Sequence, residues 1–325
     1  MPPAPPFAYA SLLASVSRTF YLTIRILPRA VRDPVALAYL LARASDTIAD
    51  SADAAAAVRQ QHLAAFAEAV GTGNRDGLPP IARELSSPHA GERELLNLLE
   101  PCVAWLESLD AADREAVRAV VRKIIHGQTL DLQRFAGGAE VIALPDGAAL
   151  EEYTYLVAGC VGEFWTDLCA HHLPRYSRLP HAELRALGVD FGKGLQLVNI
   201  LRDLPADLAT GRCYLPADEL RRAGADPAAL TAASAAPVFT EWQRKAHAHL
   251  EAGRRYITAV RPARIRAGCF LPWHLGEKTL ALLAQHPPLA SPRRVKVPRS
   301  AVRRALLLAV LASGSDWPLR SGASA

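Results

Sequence analysis

The chain is short of the features that build sheets, cross-links and membrane spans. Aromatics are 6% of its 325 residues, and regular alternation of Val, Ile and aromatic side chains is scarce. A β-rich fold needs that alternation and is disfavoured. The five cysteines (Cys102, Cys160, Cys169, Cys213, Cys269) form no CxxC pair. They read as reduced core residues of a cytosolic protein. The longest late apolar run, residues 305–312, falls far short of the roughly 20 residues that span a bilayer. Met1-Pro2-Pro3-Ala4-Pro5-Pro6 offers neither a basic start nor an apolar stretch, so no signal peptide is expected. There is no fixed-period repeat, which excludes a helical solenoid, and no Gly-rich dinucleotide fingerprint. His171-His172 and His247/His249 lack i,i+4 spacing, which argues against a histidine metal site.

What is present points to helices. Half the residues are hydrophobic, enough for a large core, and alanine, leucine and arginine dominate. Net charge is +5 with a pI near 9.1. The basic clusters suit an anionic ligand or a membrane surface, whereas a nucleic-acid binder usually concentrates more charge. Apolar periodicity predicts helices over 9–27, then from Asp33 as N-cap with Pro34 at the first helical position. Further helices are predicted over 95–109, 117–135, 150–172, 181–202, 242–260 and 272–285, with Val141, Ile142 and Leu144 as a small flap. Gly159 and Gly162 suit close helix packing. No break resembles an interdomain linker, so the expectation is an all-α, single-domain bundle over 9–312. A disordered segment 1–8 would precede it and a flexible tail 313–325 would follow. A cytoplasmic protein, at most peripherally membrane-associated, is expected.

The informative residues are polar ones on apolar helices. Tyr39, Arg43, Asp46 and Asp50 are spaced four, three and four apart, a single stripe along one helix. Gln196, Asn199, Asp203 and Asp207 are spaced three, four and four within Leu-, Val- and Ile-rich surroundings. Gln196 and Asn199 there read as buried polar groups that need partners. Two DxxxD pairs on apolar helices suggest helices facing one another across a cavity. Clustered carboxylates resist ionisation, and magnesium, bound by a few carboxylates plus phosphate oxygens, relieves that repulsion. A diphosphate so held is a good leaving group. An apolar cavity wall then suits a hydrocarbon tail and a carbocation kept from water.

Five ordered motifs carry a resemblance to the squalene/phytoene synthase family. They are Ser17-Arg18-Thr19-Phe20, residues 43–50 (RASDTIAD), residues 153–159 (YTYLVAG), residues 196–207, and Gly211-Arg212. The resemblance implies an isoprenoid-synthase helical bundle around a central cavity and head-to-head joining of two prenyl diphosphates. It implies that Asp46, Asp50, Asp203 and Asp207 hold magnesium and diphosphate. Arg18, Arg43, Arg202 and Arg212 match positions near the diphosphates, with Thr19 and Phe20 beside them. Thr19 stands where serine is common and keeps the hydroxyl. Tyr153 matches a tyrosine of the first half-reaction, and Gln196 and Asn199 match polar residues beside the reacting carbons. One departure is Pro205, which should kink or end its helix and move Asp207 off the ideal face.

Within the family, residues 268–272 (GCFLP) and Val295-Lys296-Val297 ahead of Arg299 are more similar to squalene synthases than to phytoene synthases. That likeness implies conversion of two farnesyl diphosphates, through presqualene diphosphate, to squalene, with NADPH near Lys296 and Arg299. The alternatives are a dehydrosqualene or phytoene synthase without a reductive step, and a non-catalytic member of the fold. For the basic run 293–304 itself three readings stand: a solvated loop and helix start, the cofactor site, or contact with anionic lipid. Asp131, after Gly127-Gln128, either faces the cavity or lies on a helix surface.

Overall fold

The computed structural model describes residues 9–51, 53–136, 140–290, 295–316 and 318–319, with the side chains of Arg18 and Thr19 outside that description. The chain divides into two compact units, Met1–Gln133 and Arg134–Ala325. Each is almost wholly helical.

The first unit contains α1 (Tyr9–Val16), α2 (Arg18–Ile26), α3 (Arg29–Asp50), α4 (Ala56–Thr72), α5 (Pro79–Glu84), α6 (Ala90–Asn97), α7 (Leu99–Ser108) and α8 (Ala111–Arg134). The single helix expected over 9–27 is two, broken at Ser17. Its hydroxyl accepts from the Phe20 N–H (3.2 Å) and so caps α2, as a serine outside the helical conformation does. The expected start of α3 is also corrected. The helix begins at Arg29 behind Pro28, and Pro34 lies inside it. Asp33 caps nothing there; it accepts from the Tyr9 hydroxyl at 2.8 Å. Arg32 reaches back to the Leu27 carbonyl at 2.8 Å, which secures the entry to the helix. Val31, Leu37, Leu40, Leu41, Ala44 and Ile48 are fully buried, at most 1% exposed. One side of α3 is therefore core, and its polar stripe lies on the other.

The second unit contains β1 (Ile142–Ala143), α9 (Gly147–Thr154), α10 (Cys160–His172), α11 (His181–Ala209), β2 (Arg212–Cys213), α12 (Ala217–Arg222), α13 (Ala232–Ala259), α14 (Ala263–Gln285) and α15 (Arg299–Gly314). The expected flap pairs in parallel with β2, Ile142 opposite Arg212 and Ala143 opposite Cys213. Between α9 and α10 the chain winds one π-helical turn, Tyr155–Gly159. Close approach of α11 to α10 and to the π turn before it depends on glycine: a Cβ on Gly162 would run into the Gly188 backbone, and one on Gly192 into that of Ala158. The packing role expected of Gly162 is thus what the structure shows.

Pro205 does not end α11, which continues to Ala209. The lost N–H costs one intrahelical bond, but Leu201 and Leu204 are each 1% exposed and hold this turn against the core. Asp203 and Asp207 therefore lie on one continuous helix, four residues apart. Beyond the expected tail boundary at 313, Arg266 donates to the Ser315 carbonyl (3.4 Å) and to Asp316 (2.5 Å). Residues 1–8 and 320–325 lie outside the described residues.

Candidate active site

In the first unit the site grows from α3. The spacing of Tyr39, Arg43, Asp46 and Asp50 places them along one stripe, opposite the buried leucines. Phe20, carried in by the Ser17-capped start of α2, stacks on Tyr39 with centroids 5.1 Å apart. One turn on, Arg43 donates to Glu92 of α6 and lies 3.8 Å from Asp46. Ser87 donates to the other Glu92 oxygen at 2.6 Å. Burial pushes the Glu92 carboxyl up, but the Ser87 hydroxyl and the Arg43 guanidinium outweigh it and hold it below the usual range. Arg43 is thus oriented by a fixed anion.

Asp46 accepts from the Gln128 amide of α8. Its carboxyl is pushed up to about 7, first by loss of water around it and then by the charge of Asp50, with Arg43 pulling the other way. Asp50 is exposed at the helix end. A polar cleft of about 590 Å³ opens there, lined by Arg43, Thr47, Asp50, Ser87, His89 and Glu92 among others. Asp131 is buried, 4% exposed, so a helix-surface role is excluded. Arg18 and Thr19 have side chains outside the described residues.

In the second unit the stripe lies on α11. Asp203 accepts two bonds from the neighbouring Arg202 guanidinium, Nε at 2.9 Å and Nη2 at 2.6 Å. Arg202 and Asp203 therefore hold one another, and a bound diphosphate or metal would draw each to a new partner. Gln196 and Asn199 are not the buried groups expected. Gln196 is half-buried and Asn199 exposed, joined by a long 3.5 Å contact, because this face of α11 is open rather than packed. Helix α11 ends at a left-handed Gly211 (φ 79°), a turn that glycine makes without a Cβ clash. That turn delivers Arg212 to β2. Tyr153 lies in the last turn of α9, one residue before Thr154 leads into the π turn. It is 8% exposed and stacks on Tyr214 at 4.9 Å, and Phe135 meets Tyr214 edge-on at 5.2 Å. Lys193 of α11 pairs with Glu151 of α9 and fixes the helix that carries Tyr153.

The residues tied to the expected cofactor are placed differently. Cys269, Phe270 and Leu271 are core residues inside α14. Lys296 precedes α15 and Arg299 opens it, both exposed. Arg293 and Arg294 lie outside the described residues.

Among the described residues no three His, Cys, Asp or Glu side chains converge into a metal cage. The donor set is instead two carboxylate pairs, each one helical turn apart. That set fits magnesium, which takes one or two carboxylates and completes its shell with water and phosphate oxygens. A carboxyl whose ionisation is opposed by burial and by a neighbouring acid, as at Asp46, gains from such a cation.

Sequence and fold comparisons place the chain among known proteins. The squalene/phytoene synthase family model matches residues 13–301. A presqualene diphosphate synthase of Rhodopseudomonas palustris is 31% identical over 248 residues, 75% of each chain. Another from Zymomonas mobilis is 29% identical over 217 residues, 66% of this chain and 62% of that one. A 15-cis-phytoene synthase of Synechocystis is 29% identical, covering 64% and 55%. Among solved structures, a TcSQS complex superposes with a TM-score of 0.77 at 21% identity, covering 96% of this chain and 88% of that one. A dehydrosqualene synthase complex gives 0.61 at 19%, covering 92% and 93%. With its helical units, two acidic helices and a family match over most of its length, the chain belongs to the squalene/phytoene synthase family.

Proposed function

We propose that the protein joins two farnesyl diphosphates head to head, forming presqualene diphosphate and releasing one diphosphate. The observation that carries this is the pair of carboxylate stripes: Asp46/Asp50 on α3 and Asp203/Asp207 on an α11 unbroken by Pro205. Each acidic pair has guanidinium groups of its own unit at hand, Arg43 in the first and Arg202 and Arg212 in the second. Forked N–H groups suit phosphate oxygens. One diphosphate per pair accounts for two pairs, and two relatives named presqualene diphosphate synthases favour the product.

The residues divide the work. Asp46, Asp50, Asp203 and Asp207 would hold magnesium, which when bound neutralises the charge that develops on a departing diphosphate. Arg43, kept in place by Glu92, and Arg202, released from Asp203, bind phosphate oxygens; Arg212 does the same, and Arg18 is assigned there by resemblance. Thr19 and Phe20 border the first diphosphate. As the C1–O bond of one substrate breaks, its electron pair leaves with diphosphate. The alkene of the second substrate supplies the new C–C bond, and a proton is lost as the cyclopropane closes. Tyr153, its ring in an aromatic cluster, faces a cation with π density and a hydroxyl, with Gln196 and Asn199 as polar neighbours of the reacting carbons.

A reductive step to squalene with NADPH rests on Phe270-Leu271-Pro272 and on Lys296 and Arg299. Phe270 and Leu271 are packed away while Lys296 and Arg299 are exposed. That placement does not fit a cofactor cradle. Incubation of purified protein with farnesyl diphosphate and magnesium, with and without NADPH, tests the reading. Presqualene diphosphate in both arms is the expected result. Farnesol or a cyclised fifteen-carbon product alone would refute head-to-head joining, and squalene only with NADPH would restore the reductive reading.

A further inference from the structure

Helix α15 has two unlike faces. Ala305, Ala309 and Ala312 are 6% exposed or less and pack towards α14, where small side chains let the helices approach. The outer face carries Leu307 (70% exposed), Val310 (69%) and Leu311 (53%), three of the five large apolar side chains most exposed among the described residues. Arg299, Arg303, Leu307 and Val310/Leu311 follow one another at helical spacing, so the outer stripe is basic in its first half and apolar in its second. Arg304 and Lys296 are exposed beside it.

The charge around this stripe has one sign. No Asp or Glu occurs between Glu277 and Asp316, while seven Lys or Arg do. Among the described residues no carboxylate pairs with Lys296, Arg299, Arg303 or Arg304. The far end is anchored: buried Arg266 donates to the Ala312 carbonyl at 3.0 Å and to Asp316 at 2.5 Å. The apolar face is therefore held outward by the packing beneath it. No helix among the described residues is long and apolar enough to cross a membrane. An outward stripe of this composition instead matches helices that lie in the interface, apolar side chains among the acyl chains and cations at the headgroups.

We infer that α15 docks the protein on a bilayer containing anionic lipid, with Leu307, Val310 and Leu311 inserted and Arg299, Arg303 and Arg304 on the headgroup phosphates. Charge complementarity decides the occupant. A second copy of this chain would add like charges to a face that carries no carboxylate to neutralise them, whereas an anionic surface neutralises them.

The test is co-flotation of the full chain with vesicles of phosphatidylcholine alone, or carrying about one third phosphatidylglycerol. Binding to the anionic vesicles, weakened by salt, is expected, with little on phosphatidylcholine. The double variant Arg303→Gln/Arg304→Gln should bind roughly 30-fold more weakly, at about 1 kcal/mol per charge. The triple variant Leu307→Ser/Val310→Ser/Leu311→Ser should lose flotation while its melting temperature holds, because these side chains touch solvent already. A Leu307→Trp reporter should shift its emission to the blue on anionic vesicles only. Wild-type protein that stays unbound, or variants that float like it, would overturn the proposal. So would a concentration-dependent dimer abolished by the triple variant without vesicle binding, which would make this face an interface between copies.

Discussion

At the scale of single residues, the acidic stripe on α3 is under electrostatic strain that a bound divalent cation would relieve. Asp46 titrates near 7 because burial and Asp50 disfavour its anion. A carboxyl whose folded pKa lies above its unfolded value of 3.8 lowers stability progressively as pH rises from the unfolded pKa to the folded one. Asp46→Asn should therefore melt higher than wild type at pH 8 without metal, and the difference should vanish towards pH 4. Turnover with farnesyl diphosphate should fall by orders of magnitude in the same variant, and in Asp203→Asn. Near-normal turnover in both would remove the carboxylates from the mechanism. Tyr153→Phe keeps the ring stacked on Tyr214, so the fold should be unaffected while presqualene diphosphate formation drops, read by product analysis. That Asp46 and Asp50 share one helix is legible in the sequence, because periodicity within a single helix marks it. Glu92 and Gln128 are not legible there. They meet Arg43 and Asp46 from 49 and 82 positions away, and periodicity along one helix carries no trace of a contact between two. The exposure of Asn199 is hidden in the sequence for the converse reason: apolar neighbours along a helix do not reveal which sector of it packs.

At the scale of elements, helix existence was far more legible than helix ends. Ser17 breaks an unbroken apolar pattern by capping α2, and Pro34 and Pro205 lie within helices that a local rule would stop. Tertiary burial of the flanking apolar residues, Val31 and Val35 about Pro34 and Leu201 and Leu204 about Pro205, overrides the lost hydrogen bond in each case. Pro205→Ala should therefore raise the melting temperature, since it restores an N–H to an existing helix and removes a penalty of up to about 3 kcal/mol. A fall would show that the ring itself fits the native packing. Glycines separate in the same way. Gly162→Ala would drive a Cβ into the Gly188 backbone and should cost about 1–3 kcal/mol, because backbone cannot swing aside as a side chain can. Gly71 in α4 has nothing within 4 Å of an added Cβ, so Gly71→Ala should stabilise by about 0.5–1 kcal/mol. Urea unfolding of the two variants beside wild type checks both signs.

At the scale of the whole molecule, the all-α class followed from composition, but the division at residue 133 did not, because no linker-like composition marks it. The cysteines offer a test that spans both units. None of the five forms a disulfide and all are buried, Cys102 in the first unit and Cys160, Cys169, Cys213 and Cys269 in the second. Burial pushes the Cys102 and Cys169 thiols up to about 12 and Cys213 to about 11, far from the pH at which a thiolate forms readily. Desolvation raises Cys269 as well. The attacking species in thiol exchange is the thiolate, so access and ionisation both oppose reaction in the folded protein. A coloured disulfide reagent at pH 8 should accordingly modify less than one thiol per chain on the timescale of minutes, and all five once urea unfolds the chain. Reaction should follow the global unfolding curve, since Cys102 lies among the leucines and tryptophan of α7 and Cys169 beneath Tyr176 and Tyr256. One thiol reacting well before the rest would locate a unit, or part of one, that opens below the global transition. Cys102 alone would assign that opening to the first unit, and any of the other four to the second.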